Sequence, residues 1–330
     1  MKTGISAAID SFSKHKVLII GDVMIDSYLW GKVERISPEA PVPVVTGTSE
    51  ENRLGGAGNV ALNIQSLGAT PILCSVIGND IRAQTLYDLL QSQGITSMGI
   101  IEDPSRITTV KTRVISNHQH LLRVDREIDK PLSPDTEIRF IKHIIDILAK
   151  TEVSAIIFED YDKGSITPGV ITQIVSEAKK RNIPTLVDPK KRNFMAYDFT
   201  SLFKPNFKEL TEGLKLEASK TAPETLFEAA KVLHRDKNIS MVMITLSEAG
   251  VFMSTGNEYR VIPAHIRAIA DVSGAGDTVI SVSSLCLAAG LDPFTTAALA
   301  NMAGGLVCEK VGVVPIDKEL LKAEAENLHL

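Results

Sequence analysis

The chain has 330 residues, 44% hydrophobic and 23% charged, an ordinary globular balance and long enough to bury a sizeable core. Its 35 basic and 40 acidic side chains give a net charge of −5, which leaves no electrostatic case for nucleic acid or an anionic membrane as partner; an anionic substrate would need a local basic pocket. Three widely spaced cysteines read as buried free thiols in a reducing compartment, and no segment has a signal-like or membrane-length apolar core, so a cytoplasmic location is expected.

Val17–Ile20 reads as a buried strand ended by Gly21-Asp22, with Asp26 just beyond. Ligands of open parallel sheets lie outside the carboxyl ends of strands, so these two carboxylates are either acceptors for sugar hydroxyls or turn and cap residues. Tyr28–Leu54 carries Pro38, Pro41 and Pro43 and lacks a helical period; it predicts short edge-type strands in an excursion from the main sheet. Gly55-Gly56-Ala57-Gly58-Asn59 opens an amphipathic helix with Val60, Ala61, Ile64 and Leu67 on its apolar face. Glycines there serve close backbone approach to a ligand, or packing.

Ile72–Ile77 predicts a strand and Ile81–Gln93 a helix stopped by Gly94. Ile107–Asp125 alternates as a β-hairpin turned near Asn117–Gln119. Lys111, Arg113 and Arg123 on it are either a solvated edge or a phosphate site. His118 and His120 would share a strand face there, with no third ligand to make a metal site. Thr136–Leu148 is helical, and the strand Val153–Phe158 delivers Glu159-Asp160-Tyr161-Asp162-Lys163-Gly164 to a carboxyl end. A helix at Pro168–Lys180 and a strand at Pro184–Val187, ended by Asp188-Pro189-Lys190, repeat the pattern. Leu202–Phe203 leads into Lys204-Pro205-Asn206-Phe207-Lys208-Glu209, and helix Thr225–Arg235 precedes strand Ser240–Thr245 with a hairpin through Gly256-Asn257. The closing helices are Asp277–Ala289, Phe294–Lys310 and Lys318–Asn327. Strand–helix alternation argues for a mostly parallel sheet covered on both faces, and no repeat or long linker divides residues 1–330 into separate domains.

The stretch Asp271-Val272-Ser273-Gly274-Ala275-Gly276-Asp277-Thr278 carries the chemistry. A helix starting there aims free N–H groups and a positive dipole end at an anion, with Asp277 in the first turn as a candidate base; an ordinary capped helix start fits the local pattern equally. An anion cradle beside a base is what phosphoryl transfer requires.

Gly55–Asn59, Asn206-x-x-Glu209, Thr245–Gly250 and Asp271–Asp277, in that order along the chain, together resemble the ribokinase-like (PfkB) carbohydrate kinases. The resemblance implies a three-layer α/β sandwich with a small β-lid made of residues about 28–54 and 107–125, inserted in one kinase domain. It implies ATP and Mg²⁺ as cofactors. Asp277 would be the general base, with Gly274, Ala275 and Gly276 giving backbone donors to the transferring phosphoryl. Asn206 and Glu209 would organise Mg²⁺ and the ATP phosphates, with Glu209 acting through water. Thr245, Ser247, Gly250 and Asn301 would line the nucleotide, and Asp26, Gly55, Gly56, Asn59 and Asp160 the sugar. Lids of this family often pair as a homodimer clasp.

Gly21–Asp26, Arg35–Val45, Asp160–Gly164 and Asp188-Pro189-Lys190 are similar to one subgroup, the D-glycero-β-D-manno-heptose 7-phosphate kinases. Members are often the N-terminal half of a bifunctional protein whose second half carries H-x-G-H; that motif does not occur here, so a stand-alone kinase or a kinase half supplied alone is expected. A phosphorylated sugar needs cations at the far end of its pocket, which turns attention to Lys111, Arg113, Arg123 and Lys163, with Lys190 as a further candidate. Val272 replaces a hydroxyl common in the family, and Gly312 is followed by Val313-Val314, so a monovalent cation between these loops would rest on carbonyls and Asp271. The rival readings are another sugar kinase of this fold, acting on ribose, fructose or a fructose phosphate, and a sugar-phosphate-binding protein without turnover. A dinucleotide oxidoreductase is set aside because no G-x-G-x-x-G follows the first strand.

Overall fold

Residues 2–117, 119–265 and 267–326 are described by the computed structural model. In chain order the elements begin with α1 (Lys2–Ser11), β1 (Lys16–Gly21), β2 (Val23–Ile36), β3 (Pro43–Gly56), α2 (Ala57–Ser66), β4 (Thr70–Gly78), α3 (Ile81–Ser92) and β5 (Gly99–Asp103). They continue with β6 (Val110–Ser116), β7 (Gln119–Arg126), α4 (Pro134–Lys150), β8 (Ala155–Glu159), α5 (Pro168–Lys180), β9 (Thr185–Asp188), β10 (Leu202–Phe203) and α6 (Phe207–Leu214). The last are α7 (Pro223–Lys237), β11 (Met241–Thr245), β12 (Val251–Ser254), β13 (Tyr259–Ile262), α8 (Ala275–Ala288), α9 (Pro293–Cys308) and α10 (Lys318–Ala325).

Nine strands form the central sheet in the order β13-β12-β11-β10-β9-β8-β1-β4-β5, parallel except where β12 pairs with β11 and β13. Alternate residues of each strand face opposite ways, and both sets are apolar. Val17, Ile19, Ala155 and Ile157 join a core with α1, α2, α3, α8, α9 and α10. Leu18, Ile20, Ile156 and Phe158 join a second core with α4, α5, α6 and α7. These are the three layers expected for a ribokinase-like α/β sandwich.

The helices have local causes. In α4, the Ser133 hydroxyl accepts the Thr136 N–H, Pro134 opens the first turn, and Asp135 and Glu137 complement the dipole. Phe140, Ile144, Ile147 and Leu148 then repeat at helical spacing and are buried; truncating Phe140 to alanine would cost about 3–5 kcal/mol. By contrast, α8 is buried all round from Asp277 to Cys286, as suits a helix at the centre of a layer.

A separate four-stranded sheet, β3-β2-β6-β7, is the lid. Its first two strands are 14 residues each, not the short edge strands that the prolines suggested, because β2 and β3 pair with each other along almost their full length and Pro43 sits at the strand end. The lid therefore begins at Val23 and closes at Gly56, wider than residues 28–54. The β6–β7 hairpin turns where expected, at Asn117 (φ 49°); His118 lies outside the described residues. Strand β5 and helices α1 and α6 have no counterpart among the expected elements. The end of the last expected helix, at Asn327, also lies outside the described residues.

Candidate active site

Moving along the sheet, strand order runs one way from β1 through β4 to β5 and the other way through β8 to β11, so the switch point lies beside β1. There Gly21 pairs with Glu159, and Glu159 with Asp188, which lines up the ends of β1, β8 and β9.

Asp22 is the single residue between β1 and the lid strand β2. Its Oδ2 accepts the backbone N–H of Tyr161 and of Lys163, each at 3.0 Å, and its Oδ1 accepts that of Ser165 at 2.9 Å. Its carbonyl accepts the Ala57 N–H at 3.1 Å. Of the two readings open from sequence, the structural one holds: Asp22 is buried and organises the loop after β8. Gly56, at φ 59°, brings the chain so close that a Cβ would run into the Asp22 carbonyl oxygen. Gly55 lies against the Asp26 carboxylate.

Asp160, expected from the resemblance to meet the sugar, has protein partners on both oxygens. Its carboxylate accepts from Asn193 Nδ2 (2.9 Å), the Tyr197 hydroxyl (3.3 Å) and the Asp162 N–H (2.9 Å), and is buried. Burial and the neighbouring Asp22 push its carboxyl up to about 7. These buried contacts shape the loop after β8.

At the head of α8, Gly274 is the N-cap with φ 79°, and a Cβ there would meet Val313 Cγ1 at 2.8 Å. No side chain caps this end. The Ala275 N–H reaches the Val272 carbonyl at 3.4 Å, and the Thr278 N–H returns to the Gly274 carbonyl at 3.0 Å. The N–H groups of the first helical turn have no carbonyl within the helix to pair with and point out of its end. Asp277 is 5% exposed. Its Oδ1 accepts the Tyr161 hydroxyl at 3.0 Å, while its Oδ2 is buried without a partner. Burial, then the charge of Asp188, push its carboxyl up to about 6, against donors on Asn59 and Tyr161.

Buried Lys204 reaches Asp188 Oδ2 at 2.7 Å, and Lys190 reaches Glu209 Oε1 at 2.5 Å. Asn206 and Glu209 form a capping box on α6, each side chain accepting the other's backbone N–H at 2.8 Å. Both Glu209 oxygens thus already have donors. Among the described residues, Glu159, Asp188 and Asp277 are the acidic group whose oxygens lie within 4.8 Å of one another.

Thr245, Ser247, Gly250, Ala275, Gly276 and Asn301 line one cavity of about 330 Å³. Asn301 Nδ2 donates to the Pro263 carbonyl at 2.9 Å, fixing the far wall. Asp26 and Asn59 line a second cavity of about 340 Å³ below the lid, with Tyr28 and Arg53. The head of α8 touches both residue sets: Gly276 lines the first cavity, and Gly274 packs against Val313 of the second.

The lid cations are not equivalent. Arg113 donates to Asp26 Oδ1 at 2.6 Å and lies over the Tyr28 ring, which Arg53 also covers. Lys111 and Lys163 converge on Glu127, at 3.0 and 2.8 Å. Arg123 is 59% exposed and pairs with Asp125 of its own strand, as on a solvated edge. Asp271 joins two loops, accepting the N–H of Ser273 and of Gly312, each at 3.0 Å. Burial opposes its charged form, but these donors outweigh it and hold the carboxyl below the usual range.

Sequence reasoning singled out none of Tyr161, Asp188, Lys204, Arg53 or Glu127 as a site residue. Asp188 and Tyr161 had a signal, since both follow apolar strands at the carboxyl edge. Lys204 had a weaker one, a lysine directly after an apolar pair. Glu127 and Arg53 had none, because their partners are set by lid register.

An uncapped helix head, a buried carboxylate in its first turn and a cavity lined from each flank fit a kinase of the sugar-phosphorylating class. The chain belongs to the pfkB family of carbohydrate kinases, whose pattern it matches over residues 14–319. It is 41% identical over 300 residues to the "Bifunctional protein HldE" of Geobacter sulfurreducens, covering 89% of this chain and 60% of that protein. It is 38% identical over 299 residues to the protein of the same name from Helicobacter pylori (strain J99), covering 90% and 63%. The chain thus spans about three fifths of the length of these relatives. In fold it is similar to phosphofructokinase-2 from Escherichia coli in complex with fructose-6-phosphate, with TM-score 0.76, 19% identity and coverage of 94% of this chain and 99% of that one. The ribokinase of Arabidopsis thaliana complexed with ribose and ATP gives TM-score 0.71 at 14% identity, covering 96% and 99%. Among the described residues no helix is long and apolar enough to cross a membrane.

Proposed function

We propose that this chain transfers the γ-phosphoryl group of ATP to the C1 hydroxyl of D-glycero-D-manno-heptose 7-phosphate, giving the 1,7-bisphosphate used to make a nucleotide-activated heptose for lipopolysaccharide. The observation that carries the transfer is Asp277, buried at the head of α8, where Ala275 and Gly276 line the nucleotide-side cavity and Gly274 abuts Val313 of the lid-side cavity. The substrate assignment rests on the similarity of Gly21–Asp26, Arg35–Val45, Asp160–Gly164 and Asp188–Lys190 to the heptose 7-phosphate kinases.

ATP would lie along Thr245, Ser247, Gly250 and Asn301 with its phosphates at Gly274–Gly276. Backbone donors there act where charge is redistributed during transfer. Glu209 would hold Mg²⁺ through water, and bound Mg²⁺ supplies neutralisation of the phosphate oxygens. Asp277 removes the C1 hydroxyl proton as the oxygen attacks in line, and the Tyr161 hydroxyl holds Asp277 Oδ1 in place. Asp26 and Asn59 orient the sugar. Arg113 is the lid cation best placed for the 7-phosphate, since it already reaches the sugar-side carboxylate Asp26.

The lid would also make a homodimer. Its charged face holds Asp26, Tyr28, Lys111 and Arg113, while the opposite face presents Leu122 and Val124, 59% and 51% exposed. An apolar sheet face of this kind fits a second copy of itself.

The test is an ADP-release assay with ATP and Mg²⁺ over a panel of heptose 7-phosphate, fructose 6-phosphate, ribose and fructose. Turnover of ribose or fructose with none of the heptose phosphate would overturn the substrate. Ligand binding without any ADP release would overturn catalysis itself.

A further inference from the structure

Glu159 ends β8, is 1% exposed, and has no role in the transfer described above. Parallel pairing sets it level with Asp188 on β9, so both carboxylates leave the sheet on the same face. Helix α8 packs over β8 and β9 and brings Asp277 down onto them. Oxygens of all three residues then lie within 4.8 Å of one another.

The cations around this cluster are already engaged. Lys204 is on Asp188, and Lys190 is divided between Glu209 and Asp188. The two nearby hydroxyls are engaged as well, Tyr161 on Asp277 Oδ1 and Tyr197 on Asp160. Two atoms remain: Glu159 Oε2 and Asp277 Oδ2, both buried and both without a partner. Buried acceptors with no donor are costly, and carboxylates with oxygens within 4.8 Å of one another in a dry site do not all ionise. One proton between them satisfies both atoms and removes one charge.

We propose that Glu159 keeps a proton in the working enzyme and donates it in a hydrogen bond to Asp277 Oδ2, which makes Glu159 a positioning residue for the base. The proposal rests on Asp277 being that base. Glu159 is the deeper of the two, and burial with the charges of Asp188 and Asp277 drives its carboxyl well above the usual range. The Tyr161 hydroxyl donates to Asp277 and favours its charged form. With Oδ2 taken by Glu159, the second lone pair of Oδ1, beside the one that accepts from Tyr161, is left for the sugar hydroxyl. A metal ion in place of the proton would draw on the lone pair that the base needs.

Infrared spectra of the purified chain, wild type minus Glu159→Gln at neutral pH, read the proton without any turnover. A carboxylic-acid carbonyl band lost in the variant is expected. No such band, or a wild-type band that disappears when Mg²⁺ alone is added, overturns the proposal. The acid limb of kcat/KM gives an independent sign. Glu159→Leu removes a donor to the charged base and moves the limb to higher pH by about one unit, and Glu159→Gln, which still offers an N–H, brings it back. An ionised Glu159 would instead repel the base, and both variants would move the limb to lower pH. If no sugar is phosphorylated, the kinase reading has failed and the infrared result alone decides the proton.

Discussion

Replacing Asp22 by asparagine changes one atom in the junction between sheet and lid. The carboxylate accepts three backbone N–H groups from the loop after β8. Whichever way the amide is turned, at least one of those donors meets an NH₂ group where an oxygen had been. A hydrogen bond to a charged acceptor contributes about 1.5–3 kcal/mol, and a buried donor left without a partner costs about 1–3 kcal/mol. Part of the second is already counted in the first, so about 3 kcal/mol is a fair expectation. At ~2.1 cal/mol/K per residue, the unfolding entropy of 330 residues is about 0.7 kcal/mol/K, and the midpoint should fall by about 4 °C. Scanning calorimetry reads this directly. The same change should lower kcat more than it raises KM for ATP, because the freed loop carries Tyr161, which steadies Asp277. A midpoint within one degree of wild type, with kcat intact, would refute the anchoring role of Asp22.

Gly56→Ala places a side chain at φ 59° and against the Asp22 carbonyl; a loss of at least about 2 kcal/mol is expected in urea unfolding, and an unchanged midpoint would mean the backbone is free to relax there. Asp277→Asn should lower kcat by about 10²–10⁴-fold while ATP still binds, measured by steady-state kinetics beside calorimetric titration. Because burial and Asp188 raise the Asp277 carboxyl to about 6, the base is lost as pH falls through that value, and kcat/KM at pH 5 should be about one tenth of its plateau; a profile flat to pH 5 contradicts the assignment. Arg113→Met should raise KM for the heptose phosphate by about 10-fold or more and leave KM for ATP unchanged, whereas an unphosphorylated sugar would show no such rise.

Alternating apolar strands and helices made the three layers legible from sequence, since period 2 and period 3.6 are local properties of the chain. The short strand β5 was missed because its five residues include a glycine and two acids, and its only support is the neighbouring β4. The lid strands were read as short for a similar reason: Pro43 speaks locally, while the long β2–β3 ladder is a property of the pair. At the site, Asn206-x-x-Glu209 was legible as a motif, but its capping box shows that one spacing can serve a helix start as well as a cation. Asp22 stayed ambiguous because its partners lie 139 to 143 residues away. The same distance problem hid Tyr161, 116 residues from Asp277, and the pairing of Arg113 with Asp26, 87 residues away.

The strand-to-lid junction is a single residue long, so β1 and β2 behave as a beam with one pivot. The pivot's carboxylate is tied to the loop bearing Tyr161, and its carbonyl to the start of α2, which carries Asn59. A tilt of β2 against β1 would therefore be felt both by the loop bearing Tyr161 and by the start of α2, so the lid and the surroundings of Asp277 share one anchor.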